Sequence, residues 1–402
     1  MKRLIIISAV LASVFTPAMA QNNPYGIDDQ CYEFFRMAES LINDLSNDAF
    51  DYANETLLKR ATEVGDEKAR TLHYVEKLKR ECRVARHMEN REEANARVDA
   101  LRTQTVSVAL ETGYTQYLYY AYSLSETYYV NTRQEVHAQA LLQDMLDIAT
   151  RRGDEYGLWE SHVYLAKLYQ RQNDYFNTRK HLRIALSIFD SSEDESIRRQ
   201  SVSRMCCDLS DTYETGTDSS RFYIRKAEDF AKLHYDSLRV NYYKAQLAAF
   251  DRKVAEYHRY RDYCLNDHEF ADQIKYGDLL FSTADALLEG APRDTVIARA
   301  NKVNGRPQLL YIRSLAIACQ REDIAIWMGS KIIVTFYSDI SNLNDMKMEE
   351  MSASINQHHF KMELERQKSI KRMLLIALCV VGAALLAALS ALFKKKNNKQ
   401  HK

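Results

Sequence analysis

Two segments break an otherwise mixed pattern of apolar and charged positions. Leu4–Phe15 is a short apolar run behind Lys2 and Arg3, followed by Ala18-Met19-Ala20. A charged start, an apolar stretch of this length and small residues at −3 and −1 predict a secretory signal peptide over 1–20, cleaved after Ala20. The competing assignment, an uncleaved anchor, needs roughly 20 apolar residues rather than this shorter run. The second segment, Met373–Phe393, holds 21 residues without a charge. As a helix it reaches about 31 Å, enough to cross a bilayer core. Lys371-Arg372 before it and Lys394-Lys395-Lys396 after it argue against a buried core helix. A cleaved signal places the body outside the cytoplasmic membrane, in the periplasm, with the basic tail 394–402 inside.

Between these ends the apolar positions follow a helical period and recur as repeats. Residues 57–67 read LLKRATEVGDE and 145–155 read MLDIATRRGDE, and 108–114 keeps the Ala-x-x-x-Gly spacing. Ala61/Gly65, Ala109/Gly113 and Ala149/Gly153 therefore share one register. Alanine suits a close helix–helix approach, and glycine four residues on suits a helix C-terminus in left-handed conformation. Pro292 and Pro307, each shortly after a glycine, predict two further helix starts. In 114–129, Tyr114, Tyr117, Leu118, Ala121, Leu124 and Tyr128 fall near one face, and Tyr122 lies off that stripe. The pattern predicts about eight helix pairs over 27–338, each unable to bury its apolar face alone. From 343 to 372 there is no Gly or Pro, and Met348, Met351, Ile355 and Met362 form a short stripe that turns polar at Glu365 and Ser369. This predicts a charged juxtamembrane stalk helix over 341–372, solvated as a single helix or paired as a homodimer.

The stretch 159–192 resembles a tetratricopeptide repeat. Leu165, Ala166 and Tyr169 stand at the family's first-helix positions, Tyr175 opens the second helix, and Leu182, Ala185 and Leu186 follow. His162 replaces the family's early Trp, and Thr178 stands at its small mid-unit position. A second unit has Leu209, Ser210 and Tyr213, then Ile224 and Ala227. The resemblance implies an all-α, tetratricopeptide-like solenoid over 21–340, followed by the stalk helix and the membrane helix. It also implies a groove lined by Glu160, Val163, Lys167, Gln170 and Arg171, then Arg204, Cys207, Asp211 and Glu214, with Tyr122 and Glu126 beside them. The mixed charges imply a polar, hydrogen-bonding groove for a protein or peptide partner. With Asn23-Pro24-Tyr25-Gly26-Ile27-Asp28-Asp29 at its start, the layout is similar to the periplasmic half of Gram-negative tetratricopeptide membrane sensors. Those continue into a cytoplasmic kinase or DNA-binding module, whereas this sequence ends nine residues after the predicted span.

Composition agrees with helix: 11 Gly and 4 Pro in 402 residues, with 26 Tyr. The net charge is zero, but seven bases sit in the two end segments. Setting them aside leaves 48 Lys and Arg against 55 Asp and Glu, about −7 for residues 21–393. A mildly acidic body argues against nucleic-acid binding. Seven cysteines occur, Cys379 in the predicted span. Export permits disulfides among the other six, but their spacing is not that of a disulfide scaffold, and buried free thiols are expected. His258, Cys264 and His268 are close in sequence but fit no usual zinc spacing. No nucleophile–base motif, phosphate-binding glycine loop or HExxH helix appears. The expectation is a non-enzymatic, cofactor-free, membrane-anchored binding or scaffolding protein. The alternatives are a receptor subunit signalling through a separate partner and, with no motif behind it, an enzyme sited in the loosely patterned 250–300.

Overall fold

A computed structural model describes residues 23–44, 48–303 and 305–335, all within one compact unit spanning Met1–Asp339. The segments predicted from sequence as a signal peptide, a stalk helix over 341–372, a span over 373–393 and a basic tail lie outside the described residues. Among the described residues every regular element is a helix, and no helix is long and apolar enough to cross a membrane.

The helices follow one another as antiparallel neighbours. They are α1 (Asp29–Leu41), α2 (Asp48–Val64), α3 (Glu67–Arg86), α4 (Arg91–Thr112), α5 (Gln116–Asn131), α6 (Glu135–Arg152), α7 (Glu155–Arg171), α8 (Tyr175–Ser191) and a single turn α9 (Glu195–Arg198). Then come α10 (Ser203–Asp211), α11 (Asp218–Asp229), α12 (His234–Phe250), α13 (Val254–Leu265), a second single turn α14 (Phe270–Gln273), α15 (Gly277–Leu288), α16 (Arg293–Ala300) and α17 (Arg306–Ala318). A last helix, α18, begins at 322 and is described to 335. Pairs α1/α2, α3/α4, α5/α6, α7/α8, α10/α11, α12/α13 and α15/α16 pack as hairpins, and first helices also touch the next hairpin's first helix, as α3 touches α5 and α5 touches α7. This is a helical, repeat-like arrangement. The buried side chains accordingly form clusters ordered along the chain rather than one centre.

The repeated Gly-Asp-Glu is the hinge between hairpins. Gly65 and Gly153 end α2 and α6 at φ 70° and 62°, where a side chain would be strained. The aspartate after each is the next helix's cap: Asp66 accepts from Ala69 N–H at 2.9 Å, and Asp154 from Gly157 N–H at 3.0 Å. The glutamates, Glu67 and Glu155, put negative charge in the first turn of α3 and α7, where the helix dipole favours it. Ala61, Ala109 and Ala149 are fully buried one turn earlier. The opening motif plays a similar local part. Asn23 ties Gly26 and Ile27, and Asp28 caps α1 while its own N–H reaches Asp66 at 2.7 Å.

In 159–192, α8 opens at Tyr175, and Leu165, Ala166, Leu182, Ala185 and Leu186 are buried. His162 stands 2.8 Å from His181 between ring nitrogens, and His181 stacks on Tyr169. Burial depresses the pKa of both imidazoles, His162 to about 4. Gly157 marks a closer approach than any side chain permits. A Cβ there would lie 2.1 Å from Cζ of Tyr119, itself fully buried in α5. Cys31, Cys82, Cys206, Cys207 and Cys264 are buried free thiols and Cys319 is half-buried. Desolvation pushes Cys31, Cys82, Cys206 and Cys264 up to about 12.

Candidate functional site: a charged helix face and an adjoining cavity

The face shared by α5, α7 and α10 gathers most of the residues singled out from sequence. Arg171 Nη1 donates to Glu126 Oε1 at 3.0 Å, and Thr127 Oγ1 donates to the other carboxylate oxygen at 3.2 Å. Lys167 lies 4.2 Å from the centre of the Tyr164 ring, within electrostatic range of Glu160, Arg204, Asp208 and Glu126. Arg204 reaches Asp208 at 4.0 Å, and Asp208 in turn accepts from Arg239 Nη2 at 2.5 Å. Tyr243 donates its hydroxyl to Asp211. Burial raises the pKa of Glu126 and Glu160 and lowers that of Lys167, while their opposite charges hold each shift back.

Three sequence-based placements are corrected. Tyr122, expected to face the groove, is 5% exposed, with the Arg102 guanidinium 5.1 Å from its ring centre. The one-stripe reading of 114–129 fails because α5 is packed by α3, α4, α6 and α7, so it is buried nearly all round. Cys207 is fully buried inside α10. Glu126 is 1% exposed and reaches the surface only through Arg171. Val163 is partly buried against the core, Gln170 is half-buried, and Arg204 and Glu214 are exposed.

Beyond the charged face lies a cavity of about 330 Å³ between α10, α12 and α17. Asp211 and Glu214 line it, as do Tyr175, Tyr243, Gln246, Tyr311, Arg313 and Ser314. The Arg306 guanidinium lies 5.1 Å from the centre of the Tyr175 ring, and Arg306 Nη1 donates to Asn173 O at 3.5 Å, so the start of α17 meets the α7–α8 turn. No periodicity reveals this juxtaposition, since the partners stand more than 130 positions apart.

Cys264 is buried against Leu238 O, while His258 and His268 are exposed. His234, Asp267 and Glu269 come together instead, with His234 Nε2 2.6 Å from Asp267 Oδ2. His234 and Glu269 of this trio are solvent-exposed, and exposed acidic groups gather without an ion as readily as with one.

Burial, opposed by the Tyr243 hydroxyl and Arg239, pushes Asp211 from an ordinary 3.8 up to about 7. The folded chain therefore keeps a proton that the unfolded chain releases near pH 4. The stability this group contributes is full below pH 4 and is lost as pH rises through about 7. Asp211→Asn retains an acceptor for Tyr243 but cannot ionise. Its unfolding free energy should exceed the parent's by about 2–4 kcal/mol at pH 8 and match it at pH 4. Urea denaturation at both pH values checks this, and a difference that does not change with pH would count against it.

No protein-family model matches the chain, and no curated protein matches it.

Proposed function

We propose that this chain is a non-enzymatic binding protein of tetratricopeptide type. Its hairpin array holds a protein or peptide partner along the charged face of α5, α7 and α10, and residues 373–393 anchor it in the cytoplasmic membrane with the body in the periplasm. The tetratricopeptide assignment draws on the hairpin at 155–191 and on the contacts between successive first helices. The binding assignment rests chiefly on one observation. Glu160 and Lys167, both half-buried, and Arg171 and Arg204, 46% and 58% exposed, converge from two hairpins. Mixed charges of this kind fix the register of an extended partner.

The test places a photoreactive residue at Arg171 in intact cells, with Asp294, whose side chain is 98% exposed on α16, as control. A discrete heavier species from position 171 alone, lost on adding Lys167→Glu, is the expected result. Equal species from both positions, or none, would remove the support for this function. The cavity favours a second reading, a receptor subunit that passes a ligand signal to a separate kinase or regulator.

A further inference from the structure

The outward face of α8 carries charges and rings that the fold itself does not use. Residues 175–189 hold Arg179, Lys180 and Arg183 and no acid, in a body that carries about −7. Phe176 is 77% exposed, and with Ile184, Ile188 and those three bases it lines one shallow depression. Arg179 is spent within the fold, bonded to Thr212 and stacked on Tyr213. Lys180 and Arg183 are exposed, and among the described residues neither forms a hydrogen bond or an ion pair. Phe222, 50% exposed, extends the face onto α11. Lys226, one turn further along, bonds Asp190 at 2.7 Å, which sets α11 against the end of α8, and Arg183 lies within electrostatic reach of Tyr223.

The pairing of these groups narrows the partner. A single exposed ring is ordinary, but two rings with half-buried isoleucines and unpaired cations between them form a patch. The one acid at its edge, Asp190, is already neutralised by Lys226. The cations call for an anion. The rings call for an apolar layer beside it, because apolar surface gains only where it leaves water. An acidic peptide would answer Lys180 and Arg183 and offer Phe176 no such layer. A bilayer surface offers both at once, anionic headgroups over acyl chains. Helices with Phe on one edge and Lys or Arg beside it lie in that interface. Long basic side chains reach headgroup phosphates while their stems stay in apolar surroundings.

We propose that the outward face of α8, with Phe222 of α11, lies on an anionic phospholipid surface, Phe176 entering the acyl boundary and Lys180 and Arg183 meeting headgroup phosphates. The patch goes beyond the partner-binding face of α5, α7 and α10 and does not rest on it. Lys180→Glu with Arg183→Glu should leave crosslinking from position 171 unchanged, so either idea can fail without the other. The membrane anchor is separable as well. Protein held on vesicles through a wash in about 1 M salt reports the anchor, and salt-sensitive lipid contact at position 176 reports the patch.

An aromatic photoreactive residue replaces Phe176 in the full chain, and in a second preparation Asp294, on α16. Each is mixed with vesicles of phosphatidylcholine alone and of phosphatidylcholine with phosphatidylglycerol, and lipid adducts are measured by mass spectrometry. Position 176 should gain an adduct from the anionic vesicles about tenfold or more above the neutral ones and above position 294. About 1 M salt, or the double variant Lys180→Glu with Arg183→Glu, should remove most of that excess. The double variant should melt with the parent, because neither side chain is bonded within the fold. Loss of the adduct at undiminished stability separates lipid contact from a structural role. The proposal is overturned if positions 176 and 294 are labelled alike, if neutral vesicles label position 176 as well as anionic ones, or if the double variant keeps the adduct. It is equally overturned if position 176 in intact cells captures a protein and no lipid.

Discussion

Arg239→Met is expected to destabilise the fold by about 3–5 kcal/mol, measured as unfolding free energy in urea at pH 7. The arginine lies on α12 with its side chain 16% exposed, Nη2 2.5 Å from Asp208 Oδ1 and Nη1 accepted by the Tyr235 hydroxyl at 3.0 Å. It is also the cation that offsets Asp211 in its buried position. Methionine keeps the apolar stem and removes the charge, leaving Asp208 with only the more distant, exposed Arg204 at 4.0 Å and Asp211 without the cation that offsets its burial. Breaking one side of a buried pair is much costlier than never having made it. The paired variant Asp208→Asn with Arg239→Met should therefore recover about 1–3 kcal/mol of the loss. A single-variant cost below about 1 kcal/mol would show that Arg239 is not what holds these carboxylates.

Phe281→Ala should cost a comparable 3–5 kcal/mol. The ring is 1% exposed and lies parallel to Phe270 at 5.6 Å, edge-on to Tyr257 at 6.2 Å and tilted against Tyr242 at 5.7 Å. It joins α12, α13, α14 and α15, and Tyr257 adds hydrogen bonds to Phe281 O and Asp285 Oδ1. The close seat of Phe270 over Gly277 leaves little room for neighbours to collapse into the void. Because each hairpin leans mainly on its neighbours, the loss should be local. Hydrogen exchange should accelerate over 234–318 while α1–α6 keep their protection. Uniform acceleration along the chain would mean that the unit melts as one body.

The aromatic cluster around Phe281 explains why 250–300 is loosely patterned in sequence. Its helices are short, and α14 is a single turn, so no helical period develops over enough residues to be counted. Packing among four aromatic rings does there what a long amphipathic stripe does elsewhere. Tyr122 shows the opposite difficulty. Its helix has a plausible stripe, but the stripe assumes one buried face, and α5 has neighbours on nearly every side. Lys167 lies within electrostatic range of Glu160 and Arg204, a placement that follows from where each hairpin begins.

The sequence by itself determined the local grammar of this protein. Gly-Asp-Glu after a buried alanine encodes a stop, a cap and a start, and Gly with Pro encodes two more starts. These are interactions within a few residues, so their physics is complete in a short window. What only the tertiary structure decided is what lies between hairpins. The Asp208–Arg239 pair and the Tyr243–Asp211 bond join residues 31 and 32 positions apart, and the Arg306–Asn173 contact joins residues 133 apart. A polar residue on a helix carries no mark of whether it will meet water, a partner or a cavity. That depends on how neighbouring hairpins stack, a sum of packing terms that no single window contains.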